Sequence, residues 1–506
     1  MKSQLKSGVI LSYITIAVQM VVQLIYTPLM INLLGQSEYG LYTLVASVVS
    51  YLSLLSFGAT GAYLRFYMRF RENGDNQKIG QLNGMFMTVF LIMSAVALVS
   101  GCILAQYTPQ IFGDKLTSGE HEKAKILMHI LVFNIALTFP SSVFDSIVSA
   151  HEQFVFQRVL NLLSVIFNPL ICLPLLFMGY GSVSVVLITL SISVLKLTIN
   201  ALYCVKKLKV KFNFKKFDFS LLREVAVFSV FLFLNMLIDQ INWSVDKYIL
   251  GRVSGTNEVA VYGVSATMNA VFLQFSTAIS SVFAPRVNKI VSENKHSMLD
   301  ELTSLFTRVG RIQLMVLGLA ASGFVIFGRY FITEIYVTQE YENSYYAALF
   351  LILPSIIPLI QNVGIEIQRA VNKHKFRSLV YLAMAFINII VSIPLGIRFG
   401  SVGTAFGTGL SLVVANGIIM NIYYSRVIGI DILSFWKSIS GIMKGLVIPV
   451  LFGVIIMNYI VIDSVMEFCL WISAYIVIYA VSVIFLGANK EEKNMLLKIM
   501  KKRSNI

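Results

Sequence analysis

Between residues 7 and 486 this 506-residue chain is a succession of uninterrupted apolar runs, each close to twenty residues, separated by short polar turns. A run of that length, wound at about 1.5 Å per residue, crosses the roughly 30 Å hydrocarbon core of a bilayer with its backbone polar groups satisfied internally. Fourteen such runs can be placed, at 7–33, 39–64, 82–107, 124–148, 159–178, 183–205, 225–250, 259–284, 306–326, 345–367, 379–397, 402–424, 442–461 and 465–486. A membrane β-barrel is excluded, because its strands alternate apolar and polar residues over about ten positions. With 57% hydrophobic and 13% charged residues, the chain has too little polar surface to be a water-soluble protein of this size. The expected fold class is an all-α integral membrane protein.

The runs are duplicated. Glu38, Gly40, Tyr42 and Ala46 recur as Glu258, Ala260, Tyr262 and Ala266, displaced by 220 residues. Asn168 and Pro174 precede Gly181-Ser182-Val183, just as Asn388 and Pro394 precede Gly400-Ser401-Val402, with a one-residue slip at the glycine. Each half holds six runs, and an even number makes both halves enter the membrane in the same direction. The chain therefore reads as two parallel six-helix repeats related by an axis along the membrane normal, plus two C-terminal helices. The expected segments are a first bundle at 1–205, a basic cytoplasmic linker at 206–222, a second bundle at 223–424, two additional helices at 425–487 and a basic tail at 488–506. Duplication of this kind is the architecture of carriers that open a path first to one side and then to the other.

A net charge of +15 would suggest a nucleic-acid partner in a soluble protein, but its distribution argues otherwise. Apart from Lys196 within a run and Lys115, Lys123, Lys125, Lys247, Arg252, Arg329 and Arg398 at outer ends or loops, the Lys and Arg fall on one face. That asymmetry is expected to place both termini in the cytoplasm. Lys206, Lys207, Lys209, Lys211, Lys215 and Lys216 on the linker read as a topology signal resting on anionic headgroups. The tail, with Met495, Leu496, Leu497, Ile499 and Met500 among Lys493, Lys498, Lys501, Lys502 and Arg503, reads as a short amphipathic helix at the interface. The first run follows Lys2 and Lys6 but is too long, and lacks the small-residue cleavage site, for a signal peptide. Cys102, Cys172, Cys204 and Cys469 show neither CxxC spacing nor a metal-site pattern. No catalytic motif, metal site or cofactor site is found, and the longest outer connection, 108–123, is too short to fold as a domain.

Ionisable groups at membrane depth are costly, and those present mark interior faces. Lys196 lies about nine residues from the cytoplasmic end of its run, too deep for its stem to reach the headgroups, and is read as facing a cavity or a carboxylate. Asp239 and Asp246 are seven residues apart and expected on one functional polar helix face, with solvation of Asp246 and Lys247 at the outer interface as the competing reading. Asp145 and Glu366 are near-equivalent in the two halves and are candidates for ion coupling, with ion pairs to Arg158 or Arg369 as the competing reading. Arg65 and Arg286 end the second and eighth runs, either as ordinary anchors or as a guanidinium pair suited to phosphate oxygens. Ser47, Ser50, Ser53, Ser56 and Thr60 form a stripe that reads as close helix packing before a hydrophilic lining.

Residues Trp243-Ser244-Val245-Asp246-Lys247-Tyr248-Ile249-Leu250-Gly251, followed by Val259 to Val264, resemble the Wzx-type polysaccharide flippases. Leu64-Arg65-Phe66, Asn73-Gly74-Asp75, Gln339-Glu340-Tyr341 and the stretch 388–408 are similar to corresponding passages of that family, which is related to MATE multidrug exporters and lipid II flippases of the MOP superfamily. The resemblance covers essentially the whole chain. It implies a MATE-like carrier with a cationic cavity that moves an undecaprenyl-diphosphate-linked oligosaccharide to the outer leaflet for O-antigen, capsule or exopolysaccharide synthesis. By that resemblance Arg65, Lys196, Lys247 and Arg286 bind substrate, and Asp145, Asp239 and Glu366 couple H+ or Na+. It also implies membrane lipids, a polysaccharide polymerase and a chain-length regulator as partners. The competing readings are an ion-coupled multidrug exporter of the same fold, which calls for an acidic cavity, and a membrane polymerase or ligase, which calls for a sizeable outer loop.

Overall fold

The computed structural model describes residues 2–56, 58–214, 219–293 and 296–494. Lys215 and Lys216 of the linker, and the expected interfacial helix over Met495 to Arg503, lie outside the described residues. Among the described residues every regular element is helical.

By internal packing the chain divides into two units, Met1–Gly263 with Ile389–Thr404, and Val264–Asn388 with Ala405–Ile506. The first contains α1 (Lys2–Leu34), α2 (Gln36–Ser50), α3 (Ala59–Glu72), α4 (Asn76–Gln106), α5 (Thr108–Phe112), α6 (Ser118–Ala150), α7 (Phe154–Phe177), α8 (Gly181–Leu202), α9 (Phe219–Val253) and the start of α10 (Thr256–Ser281). The second contains the rest of α10, α11 (Ala284–Glu293), α12 (Met298–Tyr330), α13 (Glu342–Ile360), α14 (Val363–Ala370), most of α15 (Lys375–Leu412), the single turn α16 (Asn421–Tyr423), α17 (Ile432–Tyr459) and α18 (Val465–Ser482).

Among the described residues twelve helical stretches are long and apolar enough to cross a membrane. One of them, Lys375–Ile428, has 54 residues, and at 1.5 Å rise it would be more than twice the length of one crossing. It turns at Gly400, whose φ of 59° only glycine adopts readily, and is two spans. Counting it as two and adding α9, which at 35 residues is also long enough, recovers the fourteen read from the sequence.

Three runs expected to be continuous are broken. The second, 39–64, leaves α-helical geometry at Tyr51–Ser56, where a 3-10 turn leads to Gly58 at φ 66° before α3 begins. The serine stripe accompanies the break: Ser47 donates to the Leu44 carbonyl, Ser50 to that of Ser47 and Ser53 to that of Ser50. Each bond spans three residues, the spacing of a 3-10 helix. Arg65 accordingly sits within α3 rather than at the end of a span. The eighth run, 259–284, breaks between Ser281 and Ala284, again after serines that bond three residues back, so Arg286 belongs to the separate α11. The tenth, 345–367, carries Pro354 and Pro358 and breaks at Gln361–Asn362. Hydropathy is insensitive to these breaks, because the residues that make them are small or apolar.

The first unit packs around Tyr63, Phe66, Phe86, Phe90 and Phe139, all nearly inaccessible to solvent. In the second, α17 and α18 close on α12 through Ile326, Phe327, Ile456, Phe468, Tyr475 and Tyr479. Gly453 allows this approach, since a Cβ there would lie 2.0 Å from Ile326 Cδ1.

One buried ion pair anchors that arrangement. Arg311 of α12 donates from Nε and Nη2 to the two carboxylate oxygens of Glu492 at 2.7 and 2.8 Å, and also to the carbonyls of Ser438 and Gly487. The side chains are only 7% and 9% exposed. Burial pushes the Glu492 carboxyl up, but the Arg311 fork, the Asn489 N–H and the charge of Arg308 outweigh it and hold the pKa below the ordinary value. Arg311→Met, which leaves the carboxylate unpaired, is expected to cost about 3–5 kcal/mol, with most of it recovered in R311M/E492M. A carboxyl whose folded pKa is depressed stabilises above its unfolded value, near pH 4.3, and loses that contribution as pH falls through the folded value. The melting difference between the parent and Glu492→Gln in detergent should therefore be full at neutral pH and shrink below about pH 4.

Candidate functional site

The duplicated motifs of the sequence meet in space within the first unit. Gly181 (φ 66°) and Gly400 (φ 59°) each turn the chain sharply at the start of a helical segment. The N–H of the following serine would have no intrahelical partner. Glu38 Oε1 accepts from Ser182 N at 2.6 Å, and Glu258 Oε2 accepts from Ser401 N at 2.7 Å. A Cβ on either glycine would lie 2.6 Å from the same carboxylate oxygen, so the glycine and the glutamate of each repeat require each other. Negative charge at a helix start is also favoured by the helix dipole. A second pairing repeats as well: Asn168 donates to Thr189 at 3.3 Å in the first unit, and Asn388 to Thr408 at 3.2 Å in the second. Glu38 also pairs with Lys123, whose Nζ lies 2.8 Å from its Oε2.

Of the candidate residues, the structure brings Lys196 and Asp145 together. Lys196 Nζ lies 3.7 Å from Asp145 Oδ2, with each side chain 28% exposed. One turn further along α8, Asn200 donates to Asp145 Oδ1 at 2.8 Å. Positions four apart share a helix face, so α8 presents an ammonium and an amide side by side to the carboxylate of α6. Charges assigned separately to substrate and to ion coupling are thus a single half-buried pair.

The remaining candidates belong to both units. Arg65 is exposed on α3, and a turn later Arg69 pairs with Glu224 at 3.0 Å. Lys247 is partly exposed on α9 beside Asp246, which is fully buried and accepts the Tyr262 hydroxyl. Asp239 is exposed, so the seven-residue spacing does not give it the environment of Asp246, which Tyr262 of α10 meets. In the second unit Arg286 is exposed on α11, and Glu366 pairs with Arg369 at 3.0 Å on α14.

Sequence reasoning missed Arg311, although a charge five residues inside an apolar run was a visible signal. It also quoted Glu38 and Glu258 as repeat markers without a role, because their partners lie 144 and 143 residues away. The second unit further contains a cavity of about 350 Å³ lined by Leu314, Leu353, Ile356, Met443, Leu446 and Val450, with Trp436 at its wall. Such a lining suits hydrocarbon and offers almost nothing to a polar ligand.

An all-helical, multi-pass membrane protein of MATE-like architecture is the class this fold defines. The lipid II flippase MurJ in an inward closed conformation superposes with a TM-score of 0.66 at 16% identity, covering 95% of this chain and 97% of that one. An inward-facing multidrug resistance MATE family transporter of the MOP superfamily gives 0.63 at 13% identity, covering 83% and 99%. The chain belongs to the polysaccharide biosynthesis protein family, which it matches over residues 5–291. It is 20% identical over 409 residues to a Shigella flexneri protein provisionally named an O-antigen transporter, spanning 78% of this chain and 91% of that one. It is 19% identical over 494 residues to the uncharacterized membrane protein EpsK of Bacillus subtilis (strain 168), with 94% of each covered. The resemblance to Wzx-type flippases read from the sequence agrees with these matches.

The pairing of Lys196 with Asp145 is testable by a double-mutant cycle on thermal stability. Lys196→Ala, Asp145→Ala and their combination should give a coupling energy of about 0.5–3 kcal/mol, whereas strictly additive losses would show two independent charges.

Proposed function

We propose that this protein carries an undecaprenyl-diphosphate-linked oligosaccharide from the cytoplasmic to the outer leaflet of the cytoplasmic membrane by alternating access, with both termini in the cytoplasm. The observation that carries this reading is membership of a polysaccharide biosynthesis family on a chain whose spans hold cationic side chains at depth, Lys196 foremost. The family match favours a glycan cargo over the drug cargo of a multidrug exporter. The short outer connection between α4 and α6, occupied by the five-residue α5, favours carriage over polymerisation or ligation.

The physical task is to take a diphosphate and several sugars across hydrocarbon, where every polar group stripped of water costs several kcal/mol. A hydrated passage removes that cost while the polyprenyl tail stays in lipid. Arg65, Lys196, Lys247 and Arg286 are proposed to hold the anionic headgroup, and Asp145, Asp239 and Glu366 to exchange H+ or Na+. With the cell interior negative, outward movement of about two negative charges gains roughly 4–5 kcal/mol per 100 mV, so the potential can drive export with or without a coupled cation. A polysaccharide polymerase and a chain-length regulator would act on the delivered product.

Deleting the gene in its host should leave lipid-linked repeat units facing the cytoplasm and strip the surface of the corresponding glycan; an unchanged surface glycan would reject the reading. Alanine at Arg65, Lys196, Lys247 or Arg286 is expected to slow export by roughly ten- to a hundredfold, the worth of one charge-assisted hydrogen bond to phosphate.

A further inference from the structure

Three helix starts converge in the first unit on a single carboxylate. Glu120 Oε2 accepts from the N–H and hydroxyl of Thr117 at 2.8 and 2.9 Å, closing the capping box that begins α6. Its other oxygen, Oε1, accepts from the Ser37 hydroxyl of α2 at 2.6 Å and from the Thr256 hydroxyl of α10 at 2.8 Å. The two hydroxyls are themselves 3.3 Å apart. Ser37 and Thr256 stand at the starts of α2 and α10, which are equivalent helices of the two repeats, separated here by 219 residues.

Beneath this junction the helices touch directly. A Cβ on Gly40 would fall 1.9 Å from the carbonyl oxygen of Thr256 and 3.3 Å from the N–H nitrogen of Ala260, so α2 meets α10 backbone to backbone. The contacts are of a reversible kind. Two short hydroxyl bonds to one carboxylate are stronger than neutral ones, yet the Ser37 bond lies at an exposed edge where water can replace it, and only the Thr256 bond beside it is partly covered. Arg311 and Glu492, enclosed on all sides, have no such substitute.

We propose that Ser37, Glu120 and Thr256 form a clasp that holds the outer ends of α2, α6 and α10 together, and that it parts to admit the outward-open state. The proposal rests on the cytoplasmic placement of both termini and on the carrier reading above, and it adds the device that biases the two states. Glu120 is the shared acceptor, Ser37 and Thr256 are the releasable donors, and Gly40 is the packing seat. Removing the two donors shifts the population toward the open state without disturbing the cap of α6.

The experiment uses the full chain with Cys102, Cys172, Cys204 and Cys469 replaced, in membrane vesicles of defined orientation. A reporter is introduced as Ser50→Cys, fourteen residues along α2 from Gln36, roughly 21 Å of helix below the clasp. A membrane-impermeant maleimide applied from the outer side measures access. S37A/T256V is expected to raise the labelling rate by roughly tenfold at an unchanged melting temperature. Labelling at the parent's rate would overturn the proposal. In a second arm S37C/T256C, oxidised to a disulfide, is expected to halt glycan export and to recover with reductant, and export at the parent's rate while oxidised would also overturn it. Because labelling needs no substrate, a tenfold rise in a protein that exports no lipid-linked glycan leaves the clasp standing and removes the proposed cargo instead.

Discussion

At the start of a helical segment several N–H groups face outward with no carbonyl to accept them, and close to hydrocarbon there is little water to serve instead. This chain resolves that constraint twice in the same way. A glutamate near the start of one helix reaches the start of another 144 or 143 residues later, and a glycine at the turn leaves room for it. The carboxylate supplies both an acceptor and a negative charge at the positive end of the helix dipole. Because each glutamate belongs to one repeat motif and each glycine to the other, the tight turns that let adjacent spans lie antiparallel depend on contacts between parts of the chain that are remote in sequence.

This dependence explains what could and could not be read in advance. The existence of the helices was legible because about twenty consecutive apolar residues admit few alternatives in a bilayer. The duplication was legible because Glu38, Gly181, Glu258 and Gly400 stand at matching offsets. Their mutual contact was not, since periodicity describes neighbours one turn away and these partners lie on different helices. The breaks at Tyr51–Ser56 and Gln361–Asn362 were hidden for another reason: serine hydroxyls and prolines alter backbone geometry with little change in hydropathy.

The charged residues teach a similar lesson about the site. Depth singled out Lys196, and near-equivalence to Glu366 singled out Asp145; for each, an ion pair was among the readings. Only packing could say that each is the other's, with Asn200 completing the set. Asp239 and Asp246 went the other way. Helical spacing aligns them, but a helix face is not uniform along its length, and a crossing helix can enclose one position while leaving another open. A sequence that advertises two equivalent carboxylates can therefore hold one committed to a tyrosine hydroxyl and one exposed.

The fork of Arg311 has a consequence for how the molecule is made. Its counter-ion lies 181 residues downstream, beyond α17 and α18, and its other acceptors come from those same late segments. During synthesis the guanidinium must wait, unmatched, while five further spans emerge and insert. The second unit therefore cannot reach its final packing helix by helix as the ribosome delivers it. Its assembly is a late event, closed by the arrival of Glu492.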